Sequence, residues 1–309
     1  MTLDTPIHSR GLVKRFGDFT AVDGIDLDVH SGEFFGILGP NGAGKSSTMR
    51  MVGCVSPPTS GTLRVLGLDP VADGHLVRAR LGVCPQADSL DAELTVQENV
   101  TTYARYFGMT RRAARERTAE LLDFMQLGDR AGAAISTLSG GMKRRLVIAR
   151  ALVNEPDVVL LDEPTTGLDP QARHLVWERL FRLKDRGVTV VLTTHYMDEA
   201  EQLCDRLVVM DGGRIVGEGT PAGLIRQHAA QDVVELRFPG TDQAAYAAGV
   251  GAAGDRVEVL PDRVLLYCAD GEKAVAALHE RGLVPTGVLV RRGTLEDVFL
   301  RLTGRRLVE

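Results

Sequence analysis

The sequence predicts an α/β protein with a parallel β-sheet, an antiparallel β subdomain, an inserted helical subdomain and a small C-terminal α+β domain. An apolar run at 34–38 leads into the glycine-rich segment GPNGAGKS at 39–46, and a second run at 158–161 ends in two carboxylates. The second run has the continuous apolar sequence of a buried strand in an α/β sheet, and ligand-binding residues follow the carboxyl ends of such strands. Helical patterning over about 95–155 predicts an insertion of helices between these two strands.

The composition is typical of a globular protein of about two domains. The chain has 309 residues, 44% of them hydrophobic and 25% charged, with a formal net charge of −5. This charge argues against nucleic acid as the main partner. The four cysteines are far apart and lack metal-ligand spacing, so we expect reduced thiols in the cytosol. Because no apolar run reaches about 18 residues, we expect that the chain does not span a membrane alone.

The segment Gly39 to Ser46 matches G-x-x-x-x-G-K-[ST], the phosphate-binding loop of many nucleotide hydrolases. Its glycines let backbone N–H groups point inward, and the following helix adds its positive end. Lys45 can reach the β- and γ-phosphates, and the Ser46 hydroxyl can bind magnesium. The residues expected to bind nucleotide here are Gly39, Pro40, Asn41, Gly42, Ala43, Gly44, Lys45, Ser46 and Ser47.

Two carboxylates and a histidine are predicted at the same edge of the sheet. Asp162 suits magnesium coordination, and Glu163 suits a base or a group that positions the attacking water. Acidic residues after a strand are common in α/β domains, so this assignment depends on the phosphate loop. His195 follows the next predicted strand, at 188–192, where it could reach a γ-phosphate directly or through water.

The remaining elements of this region are short strands and capped helices. Segments at 7–13, 21–29 and 33–37 predict a small antiparallel sheet. Thr95 and Glu98 have the spacing of a capping box at the start of a helix that extends to residue 107.

Further helices are predicted at 110–127 and 141–153. Asp169 and Pro170 predict an N-cap and first helical position, a role that explains Asp169 fully unless a partner subunit contacts it.

The segment Leu138-Ser139-Gly140-Gly141-Met142 places Ser-Gly-Gly at a predicted helix start. A helix N-terminus with such small residues is a second anion site. An isolated phosphate-loop enzyme would not need two sites for one γ-phosphate. The pattern therefore favours an enzyme that closes on its nucleotide from two sides.

Taken together, the phosphate loop, LSGGM, VVLLDE and Gly167-Leu168-Asp169 resemble the nucleotide-binding subunit of an ATP-binding-cassette (ABC) transporter, over about 5–225. The resemblance assigns each candidate residue a role. It implies adenine stacking for Phe16, the Q-loop with a catalytic and magnesium-site role for Gln86, the signature for Ser139, Gly140 and Gly141, magnesium coordination for Asp162, catalysis for Glu163, the D-loop for Asp169 and the switch position for His195.

Three positions depart mildly from the family pattern. Phe16 replaces a more usual Tyr, Met142 replaces a more usual Gln, and Gly167 precedes Leu-Asp where many members have Ser-Ala. None of these departures removes a catalytic group.

Within the family, LTTHYMDEAEQLCDRL at 192–207 and LDPQARHLVWERL at 168–180 resemble export ATPases of the drug-resistance (daunorubicin-like) and nodulation-factor (lipo-oligosaccharide) types. This resemblance implies an ATPase that uses ATP and Mg²⁺ and energises export of a drug-like or lipid-like compound. It also implies a head-to-tail homodimer on ATP binding and a separate integral-membrane permease. The implied location is peripheral, on the cytoplasmic face of the cell membrane.

Two other functions are weighed against transport. A soluble ABC ATPase acting on ribosomes or nucleic acid usually has two cassettes or a long coiled-coil insertion. This chain has one cassette, with only 47–138 between loop and signature. A regulatory module without turnover is disfavoured by the presence of Glu163 and His195.

The tail, 231–309, predicts a small α+β accessory domain, with its boundary to the first domain at about 220–231. The sequence TLEDVF at 294–299 resembles the C-terminal element of drug-export members. The tail has no cluster of catalytic residues, so we expect it to serve assembly or regulation.

Overall fold

A computed structural model describes residues 4–240 and 242–304, which divide into two compact units between Thr220 and Pro221. The strands of the first unit are β1 (Ile7–Phe16), β2 (Phe19–Val29), β3 (Phe34–Leu38), β4 (Ser60–Val65), β5 (Leu81–Cys84), β6 (Val158–Asp162), β7 (Thr189–Thr194), β8 (Arg206–Asp211) and β9 (Arg214–Gly219). Its helices are α1 (Lys45–Val52), α2 (Gly74–Ala79), α3 (Val96–Tyr106), α4 (Arg111–Phe124), α5 (Gly140–Ala151), α6 (Pro170–Asp185) and α7 (Met197–Leu203).

A six-stranded sheet in the order β5-β6-β7-β3-β8-β9 forms the centre of this unit and confirms the predicted parallel sheet. Only its edge strand β9 is antiparallel to its neighbour. Strands β3 and β7 are buried along their whole length, as their apolar sequences require. Asp162 pairs with Thr193, and Leu38 pairs with Thr194, so three adjacent strands end at one edge.

The antiparallel sheet has the order β2-β1-β4. The prediction that 33–37 belongs to this sheet is wrong, because β3 pairs in parallel with β7 and β8. Its sequence FFGIL is apolar on both faces, which suits the middle of a covered parallel sheet. The third antiparallel strand is β4, which buries only Leu63 and Val65.

One hydrophobic core joins both sheets around α1. Leu12 and Val22 of the antiparallel sheet, Met51 of α1, and Ile37 and Leu160 of the parallel sheet are all buried in it. The first helix is therefore held on two sides, and so is the loop that precedes it.

The helical insertion follows its predicted caps. Thr95 and Glu98 form the capping box of α3: the Glu98 amide donates to Thr95 Oγ1 at 3.3 Å, and the Thr95 amide donates to Glu98 Oε2 at 2.8 Å. Helix α4 ends at Phe124, short of the predicted 127, because the chain turns through Gln126 at φ +54°. Helix α5 begins after Ser139, whose hydroxyl accepts from the Met142 amide at 3.3 Å.

The elements of the second unit are α8 (Pro221–His228), β10 (Asp232–Arg237), α9 (Ala244–Gly251), β11 (Arg256–Val259), β12 (Val264–Cys268), α10 (Gly271–Glu280), β13 (Gly287–Arg292) and α11 (Leu295–Thr303). Its four strands form an antiparallel sheet in the order β11-β12-β10-β13. One face is closed by a core that includes Val234, Leu266 and Leu278. Among the described residues, no helix of either unit is long and apolar enough to cross a membrane.

Candidate active site

The glycine-rich loop connects the end of β3 to the start of α1 and cannot accept side chains at every position. Gly44 has φ +102°, and a Cβ atom added there would lie 2.4 Å from the carbonyl oxygen of Ala21. Only glycine tolerates both the backbone angle and this approach. The antiparallel sheet thus presses directly on the loop, just before the first amides of α1.

Lys45, the first residue of α1, is 4% exposed. Its Nζ donates to the carbonyl oxygens of Gly39 at 2.8 Å and Pro40 at 3.1 Å, and lies 3.3 Å from Oε1 of Glu163. Burial lowers the pKa of Lys45, and the nearby Glu163 carboxylate opposes that shift. The ammonium group is therefore fixed between the phosphate loop and the predicted catalytic carboxylate.

Glu163 has an unusual backbone and crowded charges. It lies at φ +46°, is 6% exposed, and its Oε1 is 3.4 Å from His195 Nδ1. Its Oε2 accepts from Gln86 Nε2 at 3.0 Å and from Thr166 Oγ1 at 3.2 Å. Burial raises the pKa of Glu163, but Lys45 and His195 outweigh burial and hold it below its usual value. The carboxylate is consequently ionised at neutral pH.

Asp162 lies between two hydroxyl groups at the end of β6. Ser46 Oγ donates to its Oδ1 at 3.2 Å, and Thr193 Oγ1 donates to the same oxygen at 2.5 Å. Thr193 also accepts the Glu163 amide at 3.0 Å, so it orients both acidic residues. Thr193 was not among the predicted site residues, although its place at the predicted strand end was the available signal.

These donors fit magnesium chemically. Mg²⁺ prefers oxygen ligands and is usually held by one or two protein groups together with substrate phosphates. Ser46 and Asp162 supply a hydroxyl and a carboxylate oxygen within hydrogen-bonding distance. Among the described residues no group of three or more His, Cys, Asp or Glu could hold a metal by itself. The predicted third member, Gln86, contacts Glu163 through its amide.

A pocket of about 360 Å³ lies over the loop. Beyond the loop, it is lined by Phe19, Ala21, Gln86 and Glu163. The predicted adenine-stacking residue Phe16 is 53% exposed, pairs with Phe19 across the β1–β2 turn, and is not one of the lining residues. Phe19 was missed, and the only signal for it was a second aromatic residue in the same turn.

The signature residues do not line this pocket in the single chain. Ser139 caps α5, Gly140 is exposed, and Asp169 caps α6 by accepting the Ala172 amide at 2.9 Å. One chain thus gathers Lys45, Ser46, Gln86, Asp162, Glu163 and His195. Of the signature residues, Ser139 and Gly140 are exposed elsewhere on the chain, and Gly141 is buried.

Known proteins identify this arrangement. The family described as "ABC transporter" matches residues 22–166, and "Nodulation factor export protein NodI, C-terminal domain" matches 243–304. The Nod factor export ATP-binding protein I of Burkholderia orbicola (strain AU 1054) is 48% identical over 302 residues, which are 98% of each chain. That of Rhizobium sp. (strain N33) is 48% identical over 97% of this chain and 98% of its own.

The chain belongs to the ATP-binding proteins of ABC transporters. Solved cassettes of this family share the fold: cbiO1 from Clostridium perfringens has a TM-score of 0.67 at 28% identity and covers 73% of this chain and 94% of its own. The cassette MJ0796, in a dimeric post-hydrolysis state with ADP and phosphate, has a TM-score of 0.64 at 29% identity and covers 69% and 98%. Like other members, the protein binds ATP and is an ATPase.

Proposed function

We propose that this protein is the ATP-hydrolysing subunit of an exporter for an amphiphilic lipo-oligosaccharide of the Nod factor class. The observation that carries the proposal is the similarity to Nod factor export ATP-binding proteins along 98% of the chain, including the C-terminal unit. The names of these relatives support a role in transport rather than an action on ribosomes or nucleic acid. The proposal places the protein on the cytoplasmic face of the membrane, bound to a separate permease.

In the proposed reaction, Glu163 accepts the proton of the attacking water. It is ionised, and Lys45, Gln86, Thr166 and His195 fix its direction. The oxygen becomes more acidic as it bonds to phosphorus, so a carboxylate of low pKa still accepts the proton. The Lys45 ammonium neutralises charge on the β- and γ-phosphates, and His195 contacts the γ-phosphate.

Ser46 and Asp162 would hold Mg²⁺, which supplies charge neutralisation at the phosphate oxygens when bound. Phe16 remains our candidate for stacking on adenine, with Phe19 of the same turn as the alternative surface.

The signature acts across a head-to-tail dimer in this proposal. Ser139 and the first amides of α5 form an anion-binding helix start that is separated from the loop of the same chain. A second copy therefore completes the site. Lys45→Ala damages the loop side of both sites in a homodimer, and Gly140→Asp damages both signature sides, so each variant should be inactive.

A mixed dimer of these two variants contains one site with both lesions and one intact site. The test is phosphate release from separate and mixed variants, with mixed dimers isolated through two different affinity tags. Recovery of activity is expected on mixing. If verified mixed dimers do not recover ATPase activity, the claim that each composite site works independently is contradicted.

Export is tested in the host strain. Affinity-tagged protein should co-purify with an integral-membrane permease, and cells carrying Glu163→Gln should accumulate the lipo-oligosaccharide internally. A protein recovered with ribosomes instead, together with unchanged export in that variant, would contradict the proposal.

A further inference from the structure

Arg144 is a buried cation whose hydrogen bonds, within residues 4–240 and 242–304, all go to main-chain oxygens of the catalytic segments. It lies on α5, four residues after Gly140, and is 5% exposed. Its Nε donates to the carbonyl oxygen of Pro164 at 2.8 Å, and its Nη2 donates to that of Asp162 at 2.8 Å. Its Nη1 donates to the carbonyl oxygens of Pro85 at 2.5 Å and Gln86 at 3.3 Å.

These four bonds join three segments that the reaction uses together. Asp162 and Pro164 flank Glu163, and Pro85 and Gln86 form the segment that follows β5. The guanidinium group belongs to the helix that begins at the signature. One side chain therefore ties the signature helix to the backbone on both sides of the proposed catalytic carboxylate.

The backbone at Glu163 needs such support. A residue with a side chain at φ +46° is strained and keeps that conformation only when its surroundings impose it. The Glu163 amide is bound by the carbonyl and hydroxyl oxygens of Thr193, and Arg144 holds the carbonyl groups on either side. A lysine could not replace this planar fork, because its point charge cannot direct bonds to four separated carbonyl groups.

We propose that Arg144 is a positioning residue for hydrolysis, which keeps Glu163 and Gln86 in fixed relation to the signature helix. This inference rests on the proposed roles of those residues. Arg144 makes no hydrogen bond to the phosphate loop among the described contacts. Its loss should therefore lower kcat and leave nucleotide affinity nearly unchanged.

The neighbouring Arg145 provides a matched control. It is also buried on α5, at 8% exposure, but donates to the carbonyl oxygens of Met125 and Gln126 within the helical insertion. Arg145→Ala thus removes a buried guanidinium group from the same helix without touching the catalytic segments.

The experiment measures phosphate release, ATP affinity and melting temperature for the full chain and its Arg144→Ala, Arg144→Lys and Arg145→Ala variants. We expect Arg144→Ala to lower kcat by about tenfold to a hundredfold with the ATP dissociation constant unchanged. Free guanidinium ion at low concentration should restore part of this activity, since the variant removes the guanidinium donor from four carbonyl oxygens. Arg144→Lys should lose activity too, and Arg145→Ala should keep its kcat and gain nothing from guanidinium.

Wild-type kcat in both Arg144 variants would overturn the inference. The inference would also be overturned if kcat fell in proportion to the melting temperature in both Arg144→Ala and Arg145→Ala, and guanidinium did not restore it. The Glu163→Gln variant distinguishes a failure of the inference about Arg144 from a failure of the proposed function. If Glu163→Gln turns over normally, the assigned roles are wrong; if it is inactive and the Arg144 variants are normal, only the role of Arg144 is wrong.

Discussion

Nε2 of Gln86 donates a hydrogen bond to Oε2 of Glu163 at 3.0 Å, joining two residues that are 77 positions apart in sequence. The contact exists because β5 and β6 are parallel neighbours and each side chain follows the carboxyl end of its strand. It constrains one carboxylate oxygen of Glu163, and Lys45 and His195 lie beside the other. A movement of the segment after β5 would therefore turn the proposed catalytic carboxylate.

Replacing Glu163 with glutamine should stop turnover while ATP still binds. The amide keeps the shape of the carboxylate but cannot accept a proton, so kcat should fall by about a hundredfold or more. Phosphate release and equilibrium nucleotide binding measure the two effects separately. Glu116→Gln, at an exposed position on α4, is the control and should leave both unchanged. Wild-type turnover in Glu163→Gln would contradict its catalytic assignment.

Lys45→Ala should weaken ATP binding itself. The ammonium group faces the phosphate loop, and hydrogen bonds to charged groups contribute about 1.5–3 kcal/mol, which corresponds to about a tenfold or greater increase in the dissociation constant. The pKa of Glu163 should also rise, because a neighbouring cation is lost. Titration with ATP measures the first effect, with the exposed Lys273→Ala as control. Unchanged affinity in Lys45→Ala would count against the assignment.

Features set by local sequence were predictable. The phosphate loop depends on glycine spacing, and the capping residues Thr95 and Asp169 act within one helical turn of their own position. The buried strand before Asp162 followed from its continuous apolar run.

Features set by distant partners were not predictable. Residues 33–37 look like an antiparallel strand until their parallel neighbours are known. A charged residue on a helix, such as Arg144, predicts solvent exposure, but its acceptors lie 18 to 59 positions away in sequence. The choice between Phe16 and Phe19 as a lining residue depends on the geometry of a turn.

The two signature glycines should respond differently to alanine. A Cβ atom at Gly141 would lie 2.7 Å from Cβ of Ala172 on α6, whereas one at Gly140 would have its nearest neighbour, Leu168, at 3.8 Å. Gly141→Ala therefore forces α5 and α6 apart. This overpacking should reduce the free energy of unfolding by about 1–3 kcal/mol and lower the melting temperature by several degrees. Thermal unfolding of both variants tests this. Equal melting temperatures would show that the helix contact is not tight.

Asp297 should stabilise the second unit in a pH-dependent way. Its carboxylate is 1% exposed, accepts from Arg291 at 2.7 and 3.1 Å, and accepts the Thr294 amide at 2.8 Å. Burial raises the pKa of Asp297, but Arg291 and Thr294 outweigh it, and the pKa lies below its usual value. Asp297→Asn should cost about 2–3 kcal/mol, because Arg291 loses a buried partner.

The sign of the pH effect follows from that direction. Because the pKa of Asp297 is lower in the folded state, its ionised carboxylate contributes its full stability above the unfolded-state pKa of about 3.9. That contribution is lost as the pH falls through the lower folded-state pKa. Hydrogen exchange of residues 221–304 should thus show that Asp297→Asn loses a constant amount of amide protection, relative to the wild type, above that pH. The loss of protection should be smaller below it. The exposed Asp262→Asn is the control. A loss of amide protection in Asp297→Asn that grows in acid would contradict this account.

The composite site is tested most directly by phosphate release from Gly140→Asp. Gly140 is exposed and has room for a Cβ atom, so the change adds a negative charge at the signature without a clash within the chain. Gly128→Asp adds the same charge to the helical insertion, at a position where an added Cβ would have no neighbour within 4 Å, and serves as the control. We predict that Gly140→Asp binds ATP but hydrolyses it at less than about a tenth of the wild-type rate, and that Gly128→Asp is fully active. Wild-type hydrolysis by Gly140→Asp would contradict the central claim that the signature forms part of the active site.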